Sequence, residues 1–165
     1  MRWLARARVP LGFLAAAAAL VLARPSTASW LLGLALAIPG ESLRIWAAGH
    51  IEKGREITRS GPYRFVRHPL YLGSTLLGVG FAIASRSWVV VVLTMLYLSL
   101  TLLAAVRTEE AALDTKFAGA YSAYRAGQAA PVRRSFSWSR AIGNREHRAV
   151  LGGIVAFGYL ALRAF

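Results

Sequence analysis

Between Gly61 and Gly73 the chain reads Gly-Pro-Tyr-Arg-Phe-Val-Arg-His-Pro-Leu-Tyr-Leu-Gly. Two arginines, an imidazole, two phenols and two prolines are crowded there immediately before a long apolar run. Pro62 and Pro69 bias Gly61 and His68 away from helical geometry, which predicts a structured loop. Pro69 then suits the first turn of an apolar helix. A stiff, cationic elbow beside an apolar segment suits a binding site for a polar molecule at a lipid surface. Charge of the opposite sign follows some forty residues later in Glu109-Glu110, adjacent carboxylates that repel each other and that a cation would relieve. A ligand bearing both carboxylate and ammonium groups matches the two segments together. Plain salt bridges are the commoner fate of such charges, and the residue types alone leave both readings open.

The elements that must position these groups are membrane helices. Hydrophobic residues make up 56% of the 165 residues and mean hydropathy is +0.47, too apolar for an ordinary soluble chain of this length. We expect one domain, residues 1–165, built as an all-α polytopic bundle of about five transmembrane helices with a cytoplasmic connector and an amphipathic helix. The chain has no cysteine, which removes disulfides and thiolate nucleophiles. His50, His68 and His147 lack metal-ligand spacing, so no metal is expected.

Residues 1–28 have the outline of a signal peptide, with Arg2, Arg6 and Arg8 before an apolar core. An uncleaved first transmembrane helix is expected instead, extending back towards Trp3, because further spans follow. Trp30 to Ile51 carries Pro39, Glu41 and Arg44 within it; the proline should bend or loosen the helix. Glu41 and Arg44, three apart, share a face and can neutralise each other or wall a polar site. Leu70 to Ser85 is rich in glycine and alanine, which lets another helix approach closely. Trp88 to Val106 is an unbroken apolar run. Glu109, Leu113, Phe117, Tyr121 and Tyr124 then recur at helical spacing, predicting one amphipathic helix that ends before Pro131. Residues 149–165 are expected as a short terminal span, with a helix lying in the interface as its rival.

Arginine and lysine distribution sets the orientation. The amino terminus, residues 50–69 and residues 107–148 are rich in them, whereas the intervening turns have Arg24 and Arg86. This alternation assigns the three rich segments to the cytoplasmic side. It also accounts for most of the net charge of +13 without nucleic acid.

The run Gly61-Pro62-Tyr63 followed by Arg67-His68-Pro69-Leu70-Tyr71-Leu72-Gly73 resembles the motif of the isoprenylcysteine carboxyl methyltransferase and phospholipid methyltransferase superfamily. Glu109-Glu110, Leu113, Phe117, Tyr121 and Tyr124 are similar to its second motif, and Leu43 to Ala47 to the helix before the connector. The resemblance covers roughly residues 40–131. It implies an integral membrane enzyme that transfers a methyl group from S-adenosylmethionine to a lipophilic acceptor, a carboxylate or an amine. The cofactor residues it implies are Arg55, Glu56, Ile57, Thr58, Tyr63, His68, Pro69, Leu70, Tyr71, Glu109 and Glu110. His68 and Glu109 are the implied catalytic groups, either of which could take the proton of an amine acceptor. The family's substrate-contacting arginine, one turn before the motif glutamate, is replaced by Ala105; Arg107 is the candidate substrate contact that remains. Ala118 stands where the family has glycine, with Gly119 next.

Two other functions share these features. A membrane reductase of sterol type, related in helical architecture, would place the phosphates of NADPH on the same arginines. A non-catalytic membrane component would keep the scaffold alone. Binding of S-adenosylmethionine or of the nicotinamide cofactor separates them.

Overall fold

In the computed structural model, residues 17–117, 119–130 and 132–165 are described. The start of the expected first span, Ala118 and Pro131 lie outside them. Helices, turns and loops make up the described residues, with no strand among them. In chain order they are α1, described over residues 17–22; α2, Thr27–Ala48; a 3-10 turn, Gly61–Arg64; α3, Pro69–Ser85; α4, Trp88–Lys116; α5, Ala120–Arg125; α6, Trp138–Gly143; and α7, Glu146–Ala164.

Local chemistry explains where α2 and α3 begin. Ser26 caps α2 by accepting from the Ser29 amide, while the Ser29 hydroxyl accepts from the Ser26 amide, so two donors of the first turn are satisfied. Pro39 lies inside α2, yet the helix continues through it to Ala48. His68 (φ −127°, ψ 63°) is the non-helical residue before α3 and Pro69 occupies the first turn, as the proline pair predicts.

The central packing is α2 against α3, antiparallel and backbone to backbone. A Cβ on Gly33 would stand 2.3 Å from the Gly80 carbonyl oxygen, and one on Gly73 would stand 2.6 Å from the Gly40 carbonyl oxygen. The seven-residue interval between glycines is the same on both helices, so two contacts two turns apart close in register. At one end of this pair Ala23, Ala37, Ala84, Phe157 and Leu160 form the buried core, with Trp30 and Phe81 packed on it. The Trp30 indole donates to the Phe157 carbonyl at 3.0 Å, fixing α7 along α2.

Arg44 ties three helices together. Its Nε lies 2.8 Å from Glu146 Oε1 of α7 and 3.7 Å from Glu41 Oε2 of its own helix, and its guanidinium donates to the Ser74 hydroxyl of α3. The local pair expected of Glu41 and Arg44 is therefore the longer of two contacts. Glu146, about a hundred residues away, supplies the closer carboxylate.

Two described helices, α2 and α4, are long and apolar enough to cross a membrane. Helix α3 is apolar but spans 17 residues, and α7, which opens on Glu146-His147-Arg148, does not meet the same measure. Of the five spans expected from the sequence, two meet that measure among the described residues. The apolar part of α4, Trp88 to Val106, is about 28 Å long, close to the thickness of a hydrocarbon core. Leu96, Leu100 and Leu103 stand exposed along it, and Val90 is the buried residue of α4.

Past Val106 the structure departs from expectation. Helix α4 does not give way to a separate amphipathic helix but runs on unbroken to Lys116, 29 residues in all. The break comes later, at Gly119, whose φ of +84° is open to glycine and strained for other residues. The face read as one helix from Glu109 to Tyr124 is divided between α4 and α5. Helix α6, which no sequence signal announced, follows the segment 132–137.

Candidate functional site

The elbow is built from its backbone outward. Gly61 has φ +56°, and a Cβ there would meet the His50 ring at 2.5 Å, so both conformation and space require glycine. The Tyr63 amide donates to Ser60 and the Phe65 amide to Pro62, closing the 3-10 turn. Below it His50 Nδ1 lies 3.1 Å from the Ser60 hydroxyl. Burial, with Arg140 and Arg134 nearby, pulls the His50 imidazole below the ordinary histidine range, so it is neutral at neutral pH.

The elbow and the end of α4 meet through side chains. His68 Nε2 lies 3.1 Å from Glu110 Oε1, and the Tyr71 hydroxyl donates to Glu109 Oε2 at 2.7 Å. Successive helical residues diverge by about 100°, so the adjacent glutamates reach different partners. Glu110 also accepts from the Tyr121 hydroxyl at 2.9 Å and lies 3.9 Å from Arg67. The His68 hydrogen bond, helped by that of Tyr121, holds its carboxyl below the usual range. Tyr124 closes the far side, donating to the Tyr63 carbonyl at 2.8 Å.

These contacts enclose a cavity of about 280 Å³. Glu56, Ile57, Thr58, Tyr63, His68 and Glu109, all anticipated from the sequence, line it. Of the other anticipated residues, Tyr71 bonds the lining residue Glu109, and Glu110 bonds the lining residues His68 and Tyr121, from outside the cavity wall. Pro69 is buried at the start of α3, and Leu70 is half-buried outside the lining. Arg55 and Arg107 are exposed and do not line the cavity.

The wall also contains Glu52, Lys53, Lys116 and Leu113, together with Tyr121 and Tyr124. The motif spacing had flagged Leu113 and the two tyrosines without assigning them a site role. The lysines and Glu52 carried no local signal. Tyr63 is 7% exposed, and its hydroxyl has no hydrogen-bond partner among the described residues. Burial, reinforced by Glu109, pushes its phenol far above the ordinary range, so it remains a donor.

Residues 43–120 match the phospholipid methyltransferase family. The matched stretch runs from the end of α2 through the elbow, α3 and α4, and is similar to the isoprenylcysteine and phospholipid methyltransferase superfamily. The cobalt-zinc-cadmium resistance protein CzcN of Cupriavidus metallidurans is 35% identical over 89 residues. Those residues are 53% of this chain and 40% of that protein, so the chain spans less than half of that relative's length. No solved structure matches significantly. Among the described residues no group of three or more His, Cys, Asp or Glu could hold a metal ion.

A segment outside the family match holds the connector in place. Arg134 reaches Glu56 at 2.7 Å and Glu52 at 3.5 Å, and Arg140 Nε donates to the Gly49 carbonyl at 2.9 Å. Asn144 donates to the carbonyls of Ala48 and Ile51 at 2.9 and 3.0 Å. Residues 132–144 thus lie as a strap against the outer side of the loop that carries Glu52, Glu56 and Thr58.

Proposed function

We propose that the cavity binds S-adenosylmethionine and that the protein methylates a lipophilic acceptor, either a carboxylate or an amine. Tyr63, which lines a carboxylate-bearing cavity and whose buried hydroxyl has no partner among the described residues, carries this reading. The lining suits the cofactor's chemistry: Glu52, Glu56 and Glu109 can receive an ammonium group, Lys53 and Lys116 a carboxylate, and Tyr121, Tyr124, Ile57 and Leu113 an aromatic base. When bound, the cofactor supplies an electrophilic methyl group on a sulfonium sulfur.

The chain's own residues then do three things. The Tyr71 hydrogen bond fixes the rotamer of Glu109, which presents fixed negative charge to the cavity. Apolar lining at Ile57, Ala112 and Leu113 excludes water, which strengthens each electrostatic contact. His68 Nε2 sits 3.1 Å from the Glu110 carboxylate, and a proton held there for that contact leaves Nδ1 as the other ring nitrogen. That nitrogen is the base available to an amine acceptor; a carboxylate acceptor needs none. Arg107, exposed on α4 outside the cavity, would meet an acceptor only from the lipid side.

We further propose a multi-pass protein with this cavity on the cytoplasmic face, supported by the arginine and lysine distribution. Calorimetric titration of the detergent-solubilised full chain tests the function. S-adenosylmethionine and its demethylated product should bind, and Tyr63→Phe and Glu109→Gln should weaken both. Binding of NADPH without either would replace this reading with the reductase. Binding of none would leave the non-catalytic one.

A further inference from the structure

On the other side of Tyr63 lies a second groove, of about 430 Å³, to which the methyl-transfer reading gives no role. Four arginines line it: Arg59 before the 3-10 turn, Arg64 and Arg67 from the turn and the loop after it, and Arg125 from the end of α5. No carboxylate lines it. Arg67 is partly offset by Glu110 at 3.9 Å, whereas Arg59, Arg64 and Arg125 have no ion pair among the described residues. Like charges gathered in one concavity repel each other unless an anion joins them, and guanidinium forks match phosphate oxygens in pairs.

The rim gives a second, independent indication. Phe65 is 76% exposed and Val66 also stands out to solvent, between Arg64 and Arg67 in sequence. The Arg64 guanidinium lies 5.8 Å from the Phe65 ring centroid. An exposed aromatic beside a cationic groove is suited to the membrane interface, where the ring enters the acyl boundary and the guanidiniums meet headgroups. The tip that carries them adjoins α3, whose apolar run begins at Leu70.

We propose that this groove binds the phosphate of an anionic lipid headgroup, with Phe65 and Val66 seated in the same lipid leaflet. A zwitterionic headgroup is disfavoured because no carboxylate in the lining could receive its ammonium. Tyr63, Arg67 and Tyr124 line both the groove and the cavity, so the bound lipid stands directly behind the cavity wall. The assignment does not depend on the methyl-transfer reading, since Arg59, Arg64, Arg125, Phe65 and Val66, which carry it, do not line the cavity.

The test titrates full-length protein in nonionic detergent with dihexanoyl phosphatidic acid, dihexanoyl phosphatidylcholine and inorganic phosphate, read by thermophoresis. Phosphatidic acid should bind about tenfold or more tightly than either of the others. The double variant Arg64→Gln/Arg125→Gln should weaken that binding by about tenfold or more, since two charge-assisted contacts are lost. The double variant Arg64→Lys/Arg125→Lys, which keeps the charge, should retain most of it and so separate lost charge from lost fold. Phe65→Ser should weaken lipid binding and leave phosphate binding unchanged. Equal binding of phosphatidylcholine, or undiminished binding by the glutamine variant, overturns the proposal. Inorganic phosphate binding as tightly as phosphatidic acid also overturns it, because the groove would then take a free anion and not a lipid.

Discussion

The Tyr121 hydroxyl lies 2.9 Å from the Glu110 carboxylate, although eleven residues separate them. In a continuous helix that separation is about 16 Å along the axis. The contact exists because the chain reverses at Gly119, bringing α5 back onto the end of α4. One left-handed glycine therefore closes the site on the side opposite the elbow.

Loss of either end of that closure should be measurable. Tyr121→Phe removes one hydrogen bond to a carboxylate that keeps His68 and Arg67, and should cost about 1 kcal/mol. Gly119→Ala forces a side chain into the left-handed region and should cost about 1–2 kcal/mol. Thermal melts in detergent give both values. An unchanged melting temperature for Gly119→Ala would argue that α5 is not held by this turn.

The interface of α2 and α3 leaves no room for a methyl group. Gly33→Ala should destabilise by about 1–3 kcal/mol, because its Cβ would stand 2.3 Å from a backbone oxygen that cannot swing aside. Gly152→Ala on α7, which meets nothing within 4 Å, should be neutral or slightly stabilising. The same melts compare the pair.

Acid should loosen the fold in two steps. His50 has its folded pKa lowered, so its contribution is complete above the ordinary histidine value and is lost as pH falls below it. Glu110, also lowered, contributes above the ordinary carboxylate value and loses that contribution as pH falls through its folded value. Melting temperature followed from pH 7.5 to 4 should decline first near pH 6.5 and again near 4.5, values typical of the free groups. His50→Gln should abolish the upper step and leave the lower one.

The strap should govern the order of the connector. Arg134→Ala removes the partner of Glu56 and one of the two arginines that pair with Glu52, and Asn144→Ala frees two carbonyls. Amide exchange across residues 49–60 should accelerate in both variants, and S-adenosylmethionine affinity should fall severalfold although Arg134 and Asn144 do not line the cavity. Unchanged exchange would make the strap a passive contact.

Orientation can be read without removing any native thiol, because the chain has no cysteine. Arg55→Cys should react with a membrane-impermeant maleimide in inverted vesicles and stay protected in intact cells, and Arg86→Cys the reverse. Labelling of both from one side would refute the proposed alternation.

Much of the elbow was legible in the sequence because its determinants are local. Two prolines set the loop and the start of α3, and Gly61 supplied the left-handed corner. The pairing of that elbow with Glu109-Glu110 followed from charge and from motif resemblance. The end of α4 was not legible, because residues 107–116 satisfy an amphipathic period whether or not they continue a spanning helix. Glu146 as the closer partner of Arg44, and Arg134 as the clamp on Glu52, are contacts across about a hundred and about eighty residues. No periodicity encodes them. Lys53 and Lys116 reach the cavity for the same reason: each reads as a solvated charge until α4 and the connector are set side by side.

Helix α4 is one uninterrupted rod, with its apolar length followed by two to three turns that carry Glu109 and Glu110. Such a rod transmits tilt and depth along its axis without loss. In a thinner bilayer it must lean to hide its leucines, and its polar end swings relative to the elbow. In the proposed multi-pass arrangement, the contacts of Tyr71 with Glu109 and of His68 with Glu110 would then feel that lean, and acyl-chain length would act on the site independently of headgroup chemistry.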